Sequence, residues 1–488
     1  MKRFALLFSI CLVFCMLSGC SEEPTLGPDQ STSVNLPGAV TVDPEVIASE
    51  IIARTGWVTE SPAETDLRNQ SSATITQTGY VLSAEREIVV DNIAHYSFEV
   101  QTGVGMYDKI RLHRVVMESR SNEPIRTRRS IFLQHGDLLG FAKFLFGNVS
   151  PSTPNDHAFA IFLAQNGVDV WGIDQNWVMV PQSTTDFSFM ADWGLQNQVD
   201  NLNAGLAIAR EVRVQMGNGW RKMFLLGYSS GVWTSYAYLN EETQFPTGHR
   251  QVAGFIPVEG YLKTDRESER IRDCALAAAE LDSMNAGVYQ DPTPILGKTV
   301  SMLAQMDPGG MSPIIPGFTN MQAALFFGAA TWAIGGMECC YHFTGGIFDQ
   351  YGIPLDLTYT PVDGWLDFLM NTANYMPRRW HQEMYAVSCN EASLPYDDHL
   401  SEITVPVHYI GAGGAFGDWG LYTLDLLGSS DITSTIVRQY PPELQILDIG
   451  HVDIWTATNS PALFWTPILD WINDHTPGKD MIPNKPKQ

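Results

Sequence analysis

Short continuous apolar runs alternate along most of this chain with longer segments whose apolar residues return every three or four positions. From about residue 75 the first period is two. The stretch HYSFEVQTGVGMYDKIRLHRVVMES (95–119) alternates as a hairpin does. SIFLQHG then reads as a buried strand, AFAIFLAQNG as a helix and VDVWGID as a strand. QNQVDNLNAGLAIAREVRVQM has helical spacing, KMFLLG is again a strand, and VAGFIPVEG follows after a further helix. Much later the alternation resumes. ITVPVHYIGAGG predicts a strand, LYTLDLL a helix, LQILDIGHVD a strand, and SPALFWTPILDWINDH a closing helix. Strands buried on both faces lose the inside–outside alternation, and strands separated by helices pair in parallel. The pattern therefore predicts an α/β class with a mostly parallel central sheet and helices on both faces.

The region 261–395 interrupts that pattern. It is rich in Met, Gly, Pro and aromatic residues, and no charged side chain falls between Asp307 and Glu338. Its prolines and glycines, with Asn320 and Gln322, leave too short a helix-compatible stretch to cross a bilayer. It is expected to be a large inserted cap whose apolar face covers a pocket. The core then divides into 76–260 and 396–488.

The first residues have a different character. Lys2 and Arg3 precede an apolar run that ends at Leu17-Ser18-Gly19-Cys20. The run is too short to be read first as a span, and the small residues before a cysteine resemble the bacterial lipobox. That resemblance implies a signal peptide over 1–19, a lipidated Cys20, and an exported chain anchored to a bacterial membrane, at the outer membrane or cell surface. Residues 20–75, rich in Pro, Ser, Gly and acids at their start, are expected to form a flexible tether.

Composition narrows the function classes. With 44% hydrophobic and 17% charged residues, the 488-residue chain is long and apolar enough for a large core. A formal charge of −25 argues against nucleic-acid partners, which need a basic face. Beyond the leader, Cys274, Cys339, Cys340 and Cys389 remain. An exported compartment permits disulfides among them, in any of three pairings. Their spacing does not match the usual zinc ligand pairs. The acidic run Tyr396-Asp397-Asp398-His399 reads as a solvated loop rather than a metal site.

The chemistry is carried by KMFLLGYSSGVWTSYAYLN (222–240). A strand runs into Gly227-Tyr228-Ser229-Ser230-Gly231 and then into a helix, the context of a nucleophile elbow. Such a turn lifts Ser229 to the C-terminal edge of the sheet. It aims the Ser230 N–H at the reacting carbonyl, near the positive end of the helix. Serine needs a base held by an acid, in the chain order Ser, acid, His. His451, in LDIGHVD, is the expected base, and Asp418, in GAGGAFGDWG, the expected acid. Glu259 is the rival acid because it too ends a strand. The segment 134–140, Gln134 to Gly140, is placed to give the second oxyanion donor, the Asp137 N–H. Trp171, Trp177 and Trp233 could line an acyl pocket or pack the core.

Taken together, FLQHGDLLG, HAFAIFLAQNGVDVWGIDQNW, GYSSG, VPVHYIGAGGAFGDW and GHVDIWTA resemble segments of the acid lipase family of α/β-hydrolases, to which gastric and lysosomal lipases belong. The resemblance covers about 130–260 and 400–475. GYSSG stands where that family has GHSQG, and the cap shows no resemblance. The likeness implies an α/β-hydrolase fold, Ser229, Asp418 and His451 as the catalytic triad, Asp137 and Ser230 as oxyanion donors, and no cofactor or metal. The expected activity is hydrolysis of apolar carboxylic or lipid esters through an acyl-serine. A capped peptidase or amidase on the same fold, and a surface lipoprotein that binds without catalysis, are the alternatives.

Overall fold

The computed structural model describes residues 42–57, 79–335, 342–391 and 393–477. The proposed leader, Cys20, Cys339 and Cys340 lie outside the described residues.

The sheet opens with an antiparallel meander, β1 (Tyr80–Val90), β2 (Ile93–Gln101) and β3 (Lys109–Arg120). Six strands then run parallel: β4 (Ser130–Gln134), β5 (Asp169–Asp174), β6 (Met223–Tyr228), β7 (Val252–Val258), β8 (Val407–Ala412) and β9 (Ile432–Val437). Their order across the sheet is β1-β2-β3-β5-β4-β6-β7-β8-β9, and β3 meets β5 antiparallel. The strands β4, β5, β6 and β8 are buried at every position, as strands inside a parallel sheet covered on both faces are. The hairpin predicted at 95–119 is the pair β2–β3.

Ten helices matter to the argument. They are α1 (Pro44–Thr55), α2 (Phe159–Gln165), α3 (Leu195–Gln215), α4 (Gly231–Glu242), α5 (Glu267–Asn285), α6 (Thr293–Met306), α7 (Asn320–Ala329), α8 (Val362–Met370), α9 (Arg378–Ser388) and α10 (Thr466–His475). The spacing in α3 shows why it packs: Leu195, Val199, Leu202, Leu206, Ala209 and Val212 are buried on one stripe. Helices α5 to α9 all fall between β7 and β8, so the segment expected to be a cap is an insertion at that crossover. Among its described residues, the uncharged stretch before Glu338 contains the ten-residue α7, started by a Thr319–Gln322 capping box, and a five-residue helix, Thr331–Gly335. Among the described residues no helix is long and apolar enough to cross a membrane. A disulfide joins Cys274 of α5 to Cys389 just after α9, with Cα atoms 5.1 Å apart.

Two expectations need correction. Residues 44–55, assigned to the tether, form α1. Asp43 caps it by accepting from the Glu45 and Val46 N–H groups, Pro44 opens its first turn, and Gly56 ends it at φ 69°. Ile47, Ala48, Ile51 and Ile52 are buried on the core. The last strand is also misplaced in the sequence reading. LQILDIGHVD is not a strand: residues Pro442–Leu447 form a short 3-10 turn, and the strand is the preceding ITSTIV of β9. Prolines 441 and 442 deny the ladder its N–H donors, while the β-branched residues of ITSTIV suit an edge.

At the end of the sheet remote from Ser229, Asp169 of β5 is fully buried between Arg114 and Arg213. Arg114 grips it with Nε at 2.9 Å and Nη2 at 3.0 Å. Burial opposes this carboxylate, but the two guanidinium groups outweigh it and hold its pKa below the usual value. Stability from a depressed carboxylate is present above the unfolded pKa and is lost as pH falls through the folded one. Asp169→Asn should therefore cost roughly 3–5 kcal/mol at neutral pH, because two cations lose their counter-charge. The deficit should narrow below about pH 4. Urea unfolding at pH 7 and at acid pH measures both effects, and equal stability of the two proteins at pH 7 would contradict them.

Candidate active site

The turn after β6 is held by close backbone approach. Ser229 has φ 56°, a left-handed conformation that a non-glycine residue adopts only when its surroundings impose it. Its N–H donates to the Val258 carbonyl at 3.0 Å, which fixes the turn to the end of β7. The flanking glycines leave room that no side chain could. A Cβ on Gly227 would lie 2.5 Å from Ser235 Oγ and 2.7 Å from the Gly231 carbonyl oxygen. One on Gly231 would lie 2.4 Å from the His135 carbonyl oxygen, and one on Gly136 2.6 Å from Ser229 Cβ. The loops after β4 and β6 thus touch backbone to backbone, with α4 starting directly behind Ser229.

The segments after β6, β7 and β9 bring the chemistry together. His451 Nε2 lies 2.9 Å from Ser229 Oγ, and His451 Nδ1 lies 2.9 Å from Glu259 Oε2. Glu259 is fully buried and His451 is 4% exposed. The carboxylate of Glu259 fixes which ring nitrogen carries the proton: Nδ1–H donates to it, so Nε2 faces the serine as an acceptor. Tyr228 stacks on the imidazole at 4.7 Å between centroids and donates its hydroxyl to the His451 carbonyl at 3.0 Å.

Asp418, expected as the acid, is not on the imidazole. Its side chain is 47% exposed and sits 3.4 Å from both Arg266 and Arg438. The GAGGAF loop that carries it has another task. The N–H groups of Ala412 and Phe416 donate to the two Glu259 oxygens at 2.6 and 3.2 Å. The segment after β8 holds Glu259 and does not itself reach the imidazole. Glu259 has φ 54°, a second left-handed residue at a strand end beside the first.

The loop after β4 also departs from an ordinary surface loop. His135 is buried, and burial lowers its pKa to about 4, so the ring is neutral. Its Nε2 accepts from the Gln175 N–H at 3.0 Å, which leaves Nδ1–H to donate to the Gly136 carbonyl at 2.8 Å. Leu138 has φ 67°. The Asp137 carboxylate accepts from Ser230 Oγ at 2.6 Å and meets His381 Nε2 of α9 at 3.2 Å. Lys143 Nζ donates to the Asp137 carbonyl at 3.1 Å and lies 4.8 Å from the centre of the Tyr228 ring. Among the described residues, neither the Asp137 N–H nor the Ser230 N–H donates to a protein acceptor.

These groups face a cavity of about 260 Å³ between the strand ends and the inserted helices. Phe327, Phe343, Phe368, Met376, Leu138 and Val452 make one wall apolar. Arg272, Asp273, Glu280 and Asp291 make the other polar, and burial with the neighbouring Glu269 pushes Asp273 up to about 7. Trp233 lines the cavity, whereas Trp171 and Trp177 are packed in the core. A wider surface depression of about 440 Å³ at Met106 and Phe189 holds no histidine. In the acidic run at 396–399, Asp397 pairs with Lys263 and His399 with Glu402. Sequence reasoning placed Ser229, His451, Asp137 and Ser230 at this cavity. It put Glu259 second, and it missed Lys143 and His381, whose sequence surroundings show only buried amphipathic pattern.

No family model matches the sequence, and no curated protein matches it. Solved structures do. A crystal structure of a "putative lipase" from Sulfolobus solfataricus superposes with a TM-score of 0.55 at 17% identity, over 80% of this chain and 99% of that one. A soluble variant of monoglyceride lipase from Saccharomyces cerevisiae gives 0.41 at 12% identity, over 86% and 100%. A thermophilic esterase from Thermogutta terrifontis gives 0.36 at 12%, over 78% and 99%. The first of these, with the strand order described above, shows an α/β-hydrolase fold.

The glycine contacts make one prediction about the turn itself. Gly231→Ala should destabilise the protein by about 1–3 kcal/mol, because the atoms its Cβ meets are backbone and can yield only by moving α4 away from β4. A thermal midpoint equal to that of the parent protein would contradict this packing.

Proposed function

We propose that this chain is a serine hydrolase that cleaves carboxylic esters through an acyl-serine intermediate. The observation that carries the reading is the chain of two 2.9 Å contacts from Ser229 Oγ through His451 to the buried Glu259. Ser229 Oγ attacks the ester carbonyl carbon as its proton passes to His451 Nε2. The carbonyl π electrons move to oxygen, and the Asp137 and Ser230 N–H groups receive that oxyanion. On collapse the C–O bond to the alcohol breaks, and His451 returns the proton to the leaving oxygen. Water, deprotonated by His451, then attacks the acyl carbon, releases the acid and restores the serine. Glu259 keeps Nδ1 protonated and stabilises the imidazolium of both steps without taking its proton.

The apolar wall suits the acyl part of an ester, and the cavity is at the small end for ligand sites. The substrate class that fits is an apolar or lipid ester of modest size. An anchor at Cys20 would hold the enzyme at a membrane that supplies such esters.

Hydrolysis of p-nitrophenyl esters tests the assignments together. Ser229→Ala should remove turnover to the level of the oxyanion hole alone, a loss of at least about a thousandfold. Glu259→Gln should lower kcat by roughly a hundredfold or more, since the imidazole loses its orienting charge. Asp418→Asn should change kcat less than about threefold. Full activity in Ser229→Ala would end the proposal. A large loss in Asp418→Asn with none in Glu259→Gln would return the acid to the loop after β8.

A further inference from the structure

A carboxylate in the oxyanion loop is an unfavourable choice of residue. An anion beside a developing oxyanion raises the barrier that the loop should lower. We propose that His381, on the inserted helix α9, is a positioning residue whose cation neutralises the Asp137 carboxylate and, with Ser230 Oγ, turns it away from the oxyanion. The inference rests on the ester-hydrolase reading above and names a part of that site which no triad residue supplies.

The geometry is specific. Asp137 and Ser230 are the two residues whose N–H groups would bind the oxyanion, and their side chains are bonded to each other at 2.6 Å. Each therefore restrains the other's backbone. The third member of the bridge, His381, is 4% exposed, and its Nε2 stands 3.2 Å from Asp137 Oδ1. The Asp137 side chain keeps 32% exposure and lines the cavity, so without a partner its charge would face the substrate.

Helix α9 cannot easily withdraw this partner. Glu383, half a turn on, accepts from the Leu195 N–H of α3 at 2.7 Å. Lys263 Nζ donates to the Val387 carbonyl at 2.7 Å, and Ser388 Oγ accepts from Trp233 Nε1 at 2.7 Å. The Cys274–Cys389 disulfide closes the end of the helix. The core, the insertion and a covalent bond all fix where His381 stands.

The surrounding charges agree in sign. On His381 Nδ1 the nearest carboxylate is Asp291, at 4.0 Å, and Glu280 of α5 adds to it. Arg378, on the same helix, is taken up by Glu280 at 2.6 Å. Arg272 of α5 is bonded to Glu269 and lies 3.4 Å from Asp273. Burial works against a charged imidazole, but Asp137 with these acids more than reverses it and raises His381 to about 9. Burial also opposes the Asp137 carboxylate, and His381, Ser230 and Lys143 still hold its pKa below the usual value. Lys143 is not an equivalent partner, because burial lowers it to about 7. The cation at His381 is therefore present below about pH 9 and is lost as pH rises through that value, while Lys143 is already neutral there.

A double-mutant cycle on p-nitrophenyl ester turnover tests this at pH 7.5. Four proteins are compared: the parent, His381→Asn, Asp137→Asn and the double variant. His381→Asn should lower kcat on the order of tenfold, with KM changed by less than about twofold, because an uncompensated carboxylate opposes the transition state. In the Asp137→Asn background the same change should cost less than about twofold, since there is no charge left to neutralise. Equal losses in both backgrounds would overturn the proposal. The pH profile gives a second reading that needs no change at His381. The parent should lose kcat above about pH 9, and Asp137→Asn should lack that limb. A shared limb would also overturn it. Ser229→Ala is run alongside. If that variant turns over, the hydrolase reading fails; if it is dead and no coupling is found, only the role of His381 fails.

Discussion

The left-handed backbone at Ser229 is the constraint on which the site depends. A serine at φ 56° costs energy, of the order of 1–3 kcal/mol for such a conformation, and it stays there only if the structure around it allows nothing else. The enforcement is local and mostly made by backbone. The Ser229 N–H is held by β7, Gly227 and Gly231 admit the carbonyls and hydroxyl that press on them, and Gly136 brings the next loop against the serine itself. Once the turn is set, the hydroxyl has one direction to point, and the loops after the neighbouring strands must deliver their groups to it.

Delivery of the acid shows how this works in the parallel part of the sheet. β7 lies between β6 and β8, so its end is the one adjacent to both the serine turn and the GAGGAF loop. Glu259 starts one strand away from Ser229, and its own N–H is held by the Ile410 carbonyl of β8 at 2.9 Å. Two further N–H groups from the loop after β8 then charge-stabilise its carboxylate. A buried carboxylate without such donors would cost several kcal/mol or become protonated. With them its oxygens are satisfied, and it is placed to orient the imidazole. The same loop turns Asp418 outward to two arginines, where its charge is solvated and inexpensive.

That arrangement explains which parts of the site were legible in the sequence. The Gly-Tyr-Ser-Ser-Gly turn is marked by local pattern, because strand, glycine and helix are local consequences of sequence, whereas His451 was reached by way of LQILDIG, a segment that forms no strand. The sheet was legible for the same reason: unbroken apolar runs such as SIFLQ and MFLLGY have no solvent face to write into an alternation. The choice between Glu259 and Asp418 is not local. Both follow strands, and only the direction of the two loops decides which one reaches the ring. The short edge strand ITSTIV was passed over because only Val437 in it is buried and the polar Thr433-Ser434-Thr435 interrupts its apolar residues. Helix α1 was hidden in a polar stretch, although Asp43-Pro44 and Gly56 are the start and stop signals of a helix. His381 carried no signal, since a histidine on a buried helix face reads as core.

The insertion is then more than a cover for an apolar pocket. The His451 N–H donates to the His342 carbonyl at 3.1 Å, and the Val452 N–H to the Phe343 carbonyl at 2.7 Å. The loop that carries His451 is therefore braced by the inserted segment, as the loop that carries Asp137 is by His381 of α9. Phe327, Phe343 and Phe368 come from the insertion too, and they line the same cavity as Ser229. Lower local dielectric strengthens each hydrogen bond in the Ser229–His451–Glu259 chain and equally each repulsion from a misplaced charge. A site that its insertion lines with apolar side chains needs its charges balanced by nearby groups. The opposed carboxylate and imidazole at residues 137 and 381 are what such a balance requires.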